Sequence, residues 1–364
     1  MKNTYGTSVA MTVYGESHGS GVGVVLDGLC PGIEVDENDI KKALSRRAPS
    51  TSIDTARREK DDYKILSGVF NGRTTGTPLC IFIPNQDVDS SSYSYGIARP
   101  SHADYAAYCK YHGYEDYRGG GHFSGRVTAG IVAAGAILSR ALGNIGITLS
   151  THVLECAGVK DKPFFETEKE IELLRNATFP VIDSVAGEEM KEKIERARRD
   201  RDSVGGVTET AISGMPSGVG EPMFDSMEGA LSRAIFAIGG IKGIEFGNAF
   251  ERTAMRGSES NDSLYMADGK VRTLTNRDGG INGGITNGEP VLFRCAVKPT
   301  PSIGVEQSTV DFRDGKDEVL SVRGRHDPAI IRRICPVIDS VTALVACDML
   351  ALRCGTDVFI KGIK

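Results

Sequence analysis

The sequence predicts an α+β protein in which two long apolar helices pack together and are covered by sheets. Three observations lead there. One order of elements (strand, glycine-proline turn, helix, strands, long apolar helix) occurs twice, at about residues 8–155 and 205–354. The copies are much longer than a solenoid repeat, so they read as one pseudo-symmetric unit made by duplication. The composition, 40% apolar and 25% charged over 364 residues, suits a globular chain with a sizeable core.

Taken in order, Leu26-Asp27-Gly28-Leu29-Cys30-Pro31-Gly32-Ile33 is a glycine-proline turn, followed by an amphipathic helix ending at Leu44-Ser45-Arg46. Gly76-Thr77-Pro78 turns the chain into an apolar strand, Leu79-Cys80-Ile81-Phe82-Ile83, and residues 127–142 close the first half as an apolar helix. A charged connector helix at about 186–200 carries Glu192 with Arg196 and Glu195 with Arg199 at ion-pairing separation on a solvated surface. Asp202-Ser203-Val204-Gly205-Gly206 returns the chain to strand. Turn, helix and strand then recur at 212–219, 227–233 and 285–292, and residues 330–352 form the closing apolar helix. Chance recurrence of glycine-proline turns, which are common punctuation, is the competing account. Residues 1–364 are expected to form a single domain.

The net charge of −5 argues against a general nucleic-acid or anionic-membrane surface, since both need a basic field. A polyanionic small substrate must then meet a local cluster of arginines. The N-terminus lacks the apolar stretch of a secretory signal, and the apolar run at 127–142 is interrupted by Gly130 and Gly135, so a cytoplasmic protein without membrane segments is expected. Eight cysteines without a CxxC pair read as buried reduced thiols, with no disulfide and no metal site.

Chemistry concentrates in three glycine- and serine-rich segments that carry histidines. They are Gly15-Glu16-Ser17-His18-Gly19, the run from Arg99 and His102 to Gly119-Gly120-Gly121-His122-Phe123-Ser124-Gly125-Arg126, and Gly324-Arg325-His326-Asp327-Pro328. Groups that titrate near neutrality beside arginines, on glycine-bent backbone, suit a phosphorylated substrate that undergoes proton transfer. The first segment also fits a Gly-x-Ser-x-Gly nucleophile elbow, but only fourteen residues precede Gly15 and a β-like stretch follows. Gly19, Gly21 and Gly23 lack dinucleotide-loop spacing, and no phosphate loop occurs. The three consecutive glycines are expected to let backbone approach a planar or anionic ligand. Ser124 and Asp327 are each placed to cap the helix that follows.

These segments, together with Ile65-Leu66-Ser67-Gly68, Thr74-Thr75-Gly76-Thr77-Pro78, Gly205-Gly206, Lys242-Gly243, Gly279-Gly280-Ile281-Asn282-Gly283-Gly284 and Lys298-Pro299, resemble the chorismate synthase family from about Tyr14 to Leu350. The resemblance implies a β-α-β sandwich with helices between antiparallel layers. It implies anti-1,4-elimination of phosphate from 5-enolpyruvylshikimate 3-phosphate, giving chorismate, with reduced FMN required and no net redox change. By the same resemblance His18 protonates the departing phosphate, His102 stabilises the reduced flavin and Asp327 assists proton removal. Substrate anions fall to Arg47, Arg126 and Arg325, with Arg57 and Arg99 as further candidates. Flavin contacts fall on His122, Phe123, Ser124, Gly239, Gly240, Gly283, Lys298, Pro299, Thr300, Pro301, Ser302 and Arg325. The family implies a homotetramer, and with no flavin-reductase extension visible, an external flavin reductant. A paralogue that binds flavin or an anion without lyase activity is the alternative. The sequence departs from the family pattern at Ala48 and Ile53, where arginines are usual, at Ser101, where glycine is usual, and at Gly239 and Asp278.

Overall fold

A computed structural model describes residues 2–51, 53–55, 61–86, 94–322 and 327–362. Along the chain, β1 (Thr4–Tyr5), β2 (Ala10–Gly15) and β3 (Gly21–Asp27) form a meander, α1 (Glu37–Arg47) follows, and β4 (Lys64–Ser67) and β5 (Leu79–Pro84) complete a first sheet in the order β1-β2-β3-β5-β4. The helices α2 (Asp104–Tyr111) and α3 (Thr128–Gly143) lead to β6 (Thr148–Cys156) and β7 (Val159–Lys160). Then come α4 (Ser184–Arg199), β8 (Gly206–Ser213), α5 (Met227–Ile235), β9 (Ile241–Phe246), β10 (Val291–Val297) and α6 (Ile331–Cys354). The second sheet runs β9-β10-β8-β6-β7, and pairing in both sheets is antiparallel.

The helix α3 lies on β3 and β5, α6 lies on β6 and β8, and the two helices pack on each other, giving the layer order sheet, helix, helix, sheet. Alternation along β5 turns Leu79, Ile81 and Ile83 inward, as the two-residue period of a strand requires. The glycines that interrupt α3 are where it meets its neighbours. A β-carbon on Gly135 would lie 2.2 Å from Ser340 Cβ, and one on Gly130 would lie 2.9 Å from the Gly23 backbone. Only a residue without a side chain lets these elements approach so closely.

Several expectations need correction. The apolar run at 127–142, expected to be the most apolar helical stretch of the chain, is second to α6: mean hydropathy is 1.2 there against 1.7 in α6, and 67% and 100% of the respective apolar windows are buried within the protein. Both are long and apolar enough to cross a membrane, and both are used here as core. The connector α4 is not simply solvated: Met190 and Ile194 enter the main core, leaving the opposite face charged. Its ion pairing is also displaced, because Arg198 meets Glu195 at 2.9 Å while Arg199 reaches the Glu195 carbonyl. All eight cysteines are free, but Cys109 and Cys354 are exposed. Asp327 caps nothing, since α6 starts after Ile330 without a side-chain cap.

Candidate active site

Gly15 ends β2 at φ 96° and the chain turns through residues 16–20 straight into β3. Strand, turn, strand is the geometry of a hairpin, and a nucleophile elbow needs a helix after the turn, so the hydrolase reading falls. The turn buries Ser17 and His18 against the glycine run at 119–121, whose φ angles are 59°, 82° and 53°. A β-carbon on Gly119 would sit 2.1 Å from the His18 imidazole, and one on Gly120 would sit 3.2 Å from His102 Cε1. The close approach these glycines permit is therefore to the protein's own imidazoles. Gly121 holds the arch to the turn by accepting a hydrogen bond from Ser17 N at 3.1 Å. His122 Nδ1 lies 2.8 Å from the Gly15 carbonyl, which makes that nitrogen the donor and leaves Nε2 as the acceptor in the neutral ring. Ser124 accepts from Arg126 N at 3.3 Å and so caps the short turn Gly125–Val127 that leads into α3, whereas α3 itself starts after Val127 without a side-chain cap.

His102 follows Ser101, whose φ of 60° is the left-handed conformation glycine adopts most readily, which accounts for the family's usual residue there. His102 Nδ1 is 2.7 Å from Asp104 Oδ1, and Arg99 reaches the same carboxylate through Nη2 at 2.7 Å and Nε at 2.8 Å. Burial pushes the Asp104 pKa up, but hydrogen bonds from Arg99 and His102 prevail and hold it well below the usual carboxylate range. An ionised carboxylate only accepts, so Nδ1 donates to it and Nε2 is the ring's remaining functional nitrogen.

The loop carrying Lys298, Pro299, Thr300, Pro301 and Ser302 reaches the same place. Lys298 Nζ donates to the Ser101 carbonyl at 2.6 Å, Lys298 N to Gly240 O at 3.0 Å, and Arg99 Nη1 to Ser302 Oγ at 3.5 Å. Beside it opens a cleft of about 280 Å³ walled by Tyr95, Arg99, His102, Tyr117, Phe123 and Phe312. Two features here fit an anionic, planar cofactor such as reduced FMN. Among the described residues, the buried Thr300 hydroxyl has no hydrogen-bond partner and Lys298, whose pKa is lowered by burial and then by Lys242, has no carboxylate partner. Gly283 does not join them. It turns the hairpin whose Gly284 carbonyl meets Met227 at the start of α5, whereas Gly239 and Gly240 follow that helix's end. A helix of this length separates the two places by roughly 13 Å.

The arginines form the third part. Arg47, in the last turn of α1, and Arg126 are both buried and converge on Asp61, which pairs with Arg47 Nη2 at 2.8 Å and with Arg126 Nη1. Burial raises the Asp61 pKa, but the Arg47 and Arg126 charges outweigh it and the carboxyl stays below its ordinary range. Asn85, just past β5, joins this cluster to the histidine turn. Its amide donates to Glu16 O and Gly19 O, both at 2.9 Å, while its oxygen accepts from Arg126 Nε at 3.1 Å. Asp327 accepts from Thr55 N at 2.9 Å and pairs with Arg333, which in turn donates to the Arg47 carbonyl at 2.8 Å. Arg332 meets Asp54 at 2.7 Å. Arg57 and Arg325, with Gly324 and His326, lie outside the described residues.

The unusual residues are accommodated. Ile53 belongs to the hydrophobic core, Ala48 accepts from Arg332 through its carbonyl, a β-carbon on Gly239 would meet nothing, and Asp278 pairs with Arg252. Sequence reasoning missed Asp61, Asn85, Arg332 and Arg333, because nothing in their local pattern marks them. Asp104 had a signal, an acid two residues after a loop histidine at a helix start.

Imidazoles beside buried arginine-carboxylate pairs, without a nucleophile elbow or a phosphate loop, form a site suited to an anionic substrate that undergoes proton transfer. A family model described as Chorismate synthase matches residues 9–351. The chain is 47% identical over 350 residues to the chorismate synthase of Pyrococcus abyssi, covering 96% of this chain and 97% of that one. It is 43% identical over 353 residues to the chorismate synthase of Methanocella arvoryzae, covering 96% and 94%. A crystal structure of a chorismate synthase aligns with TM-score 0.75 and 26% identity over 96% of this chain and 94% of that one. The chain belongs to the chorismate synthase family, and its enzyme class is carbon-oxygen lyase.

Proposed function

We propose that this chain eliminates phosphate and a ring proton, anti and 1,4, from 5-enolpyruvylshikimate 3-phosphate to give chorismate, with reduced FMN beside His102. One observation carries the assignment of residues: His18 and His102, distant in sequence, press on the consecutive glycines Gly119 and Gly120. Bound reduced FMN supplies transient electron density that eases carbon-oxygen cleavage. His18 donates a proton to the departing phosphate. Arg47 and Arg126, joined to the His18 turn by Asn85, hold that phosphate with planar guanidinium forks. His102, fixed through Nδ1 by Asp104, presents Nε2 to the flavin, and Lys298 offsets flavin negative charge. Asp327, held by Arg333, assists removal of the ring proton. The same reading gives Arg57, Arg99 and Arg325 to substrate anions, and Arg325 also to flavin.

The chain acts as a single domain built by duplication. Supporting that, strand pairing in one half has a counterpart in the other: β3 pairs antiparallel with β5 as β8 pairs with β10. A cytoplasmic homotetramer supplied by an external flavin reductant completes the proposal. The hairpin at 264–273 supports assembly, because Leu264, Met266 and Val271 are exposed on it and Leu274 follows.

The test is chorismate absorbance after anaerobic mixing of protein, substrate and photoreduced FMN. Chorismate formation is expected. None above background, with folded protein and bound flavin, leaves the paralogue that binds without lyase activity.

A further inference from the structure

We infer that Asp61 is a resident counter-anion of the substrate pocket, occupying the fork made by Arg47 and Arg126 until a phosphate of the substrate displaces it. This rests on the proposed role of the two arginines in substrate binding. Arg47 and Arg126 are 5% and 6% exposed, and two buried guanidinium groups side by side without an anion would be strongly destabilising. Asp61 supplies that anion, with one charge against two.

How Asp61 is held distinguishes it from the neighbouring carboxylates. Asp54 accepts from Ser50 N, Thr51 N and the Thr51 hydroxyl, each at 2.8 Å, besides pairing with Arg332. Asp327 accepts from Thr55 N besides pairing with Arg333. Among the described residues, the hydrogen bonds to the Asp61 carboxylate come from the Arg47 and Arg126 side chains alone. It can therefore leave without breaking the local fold. The fork also has spare donors: Arg47 Nε is buried with no partner among the described residues, and Arg47 Nη1 has only the Gly125 carbonyl at 3.4 Å.

A phosphate monoester carries up to two charges and several acceptor oxygens, against one charge and two oxygens for the carboxylate. It can satisfy both guanidiniums and the idle Nε together. Weaker monoanions must compete with Asp61 at no advantage in charge, so the carboxylate acts as a filter for dianionic groups. Asp61 is thus a specificity-determining residue that acts by occupying the ligand's position.

The probe is inorganic phosphate, titrated calorimetrically into the whole protein without flavin. Asp61→Asn should bind phosphate at least about tenfold more tightly than wild type, since close buried charge pairs couple by this much or more. In turnover it should lower KM for the phosphorylated substrate more than it changes kcat. Asp61→Glu, which keeps the charge, should return phosphate affinity toward the wild-type value. Weaker phosphate binding and a raised KM in Asp61→Asn would make Asp61 a strut that positions the arginines, and would overturn the inference. Should that variant not fold, wild-type crystals soaked in phosphate decide. Asp61 moved off both guanidiniums supports displacement; phosphate bound with both ion pairs intact, or bound elsewhere, overturns it. If wild type makes no chorismate yet the phosphate titrations behave as expected, the proposed reaction fails while the assignment of Asp61 stands.

Discussion

The His18 imidazole and the Gly119 backbone leave no room for a carbon atom between them: a β-carbon on Gly119 would lie 2.1 Å from both Cε1 and Nδ1. The histidine is thus seated by a surface that exists only because residue 119 has no side chain, and its position is set by backbone rather than by a flexible contact.

Gly119→Ala should therefore act on chemistry first. The φ of 59° is one an alanine adopts at modest cost, so the main consequence is a displaced imidazole. Turnover should fall by about a hundredfold, the usual effect of losing a positioned acid. Gly121→Ala is the contrast, since its β-carbon would meet the Asp116 carbonyl at 2.0 Å and the backbone itself must shift. Comparing melting temperature and kcat for the two variants checks this. Equal loss of stability in both would mean that Gly119 serves the fold.

Asp104→Asn should release the tautomer of His102 while leaving the ring in place, since Arg99 Nη2 also lies 3.1 Å from His102 Nδ1. The carboxylate now accepts from His102 and from Arg99 at 2.7 Å each, and an amide offers its nitrogen to one of these donors. About tenfold or more should be lost from kcat, with flavin still bound, because the tautomer presented at Nε2 is no longer fixed. Asp104→Glu should recover part of the rate. A pH-rate profile identical to wild type in Asp104→Asn would place Asp104 outside the proton chemistry.

Much of the fold was legible because glycine-proline turns and apolar periodicity mark elements wherever they occur. The apolar helices at 127–142 and 330–352 fall within a residue or two of α3 and α6. The solvated reading of α4 failed because its charges outnumber Met190 and Ile194, although those few apolar residues decide which face is buried. The candidate site was legible where its pattern is local, as in the His18 and His102 segments, which the structure brings against Gly119 and Gly120. Asp61 and Asn85 were not, since they act through contacts with Arg126, 65 and 41 residues away in sequence, and such partners leave no spacing signal. Gly283 shows the opposite limit, a motif glycine that one folded subunit leaves apart from the cleft.

A buried histidine outside the site gives the last prediction. His152 on β6 has no exposed surface; Nδ1 lies 3.1 Å from Asp161 Oδ2 and Nε2 lies 3.3 Å from Glu209 Oε2. Burial pushes its pKa down, but the hydrogen bonds the ring donates to the Asp161 and Glu209 carboxylates outweigh burial and the pKa is raised. Arg294 pairs with the far oxygen of Glu209 at 2.8 Å, the Phe164 ring stands edge-on to the imidazole, and Asp161 also accepts from Ile182 N and Asp183 N. A raised folded pKa contributes stability that is full below the unfolded value, about 6.5, and is lost as pH rises through the folded value. The lowered pKa values of Asp161 and Glu209 have the opposite sign, and their contribution is lost only as pH falls below about 4, so they do not disturb a titration from neutral to alkaline pH. His152→Asn should thus destabilise most at pH 6, by roughly 3–5 kcal/mol as when one partner of a buried pair is removed. The gap in melting temperature between wild type and variant should narrow steadily toward pH 9. A gap that stays constant across that range would mean that folding leaves the His152 pKa unchanged, and that the cluster holds the sheet by packing alone.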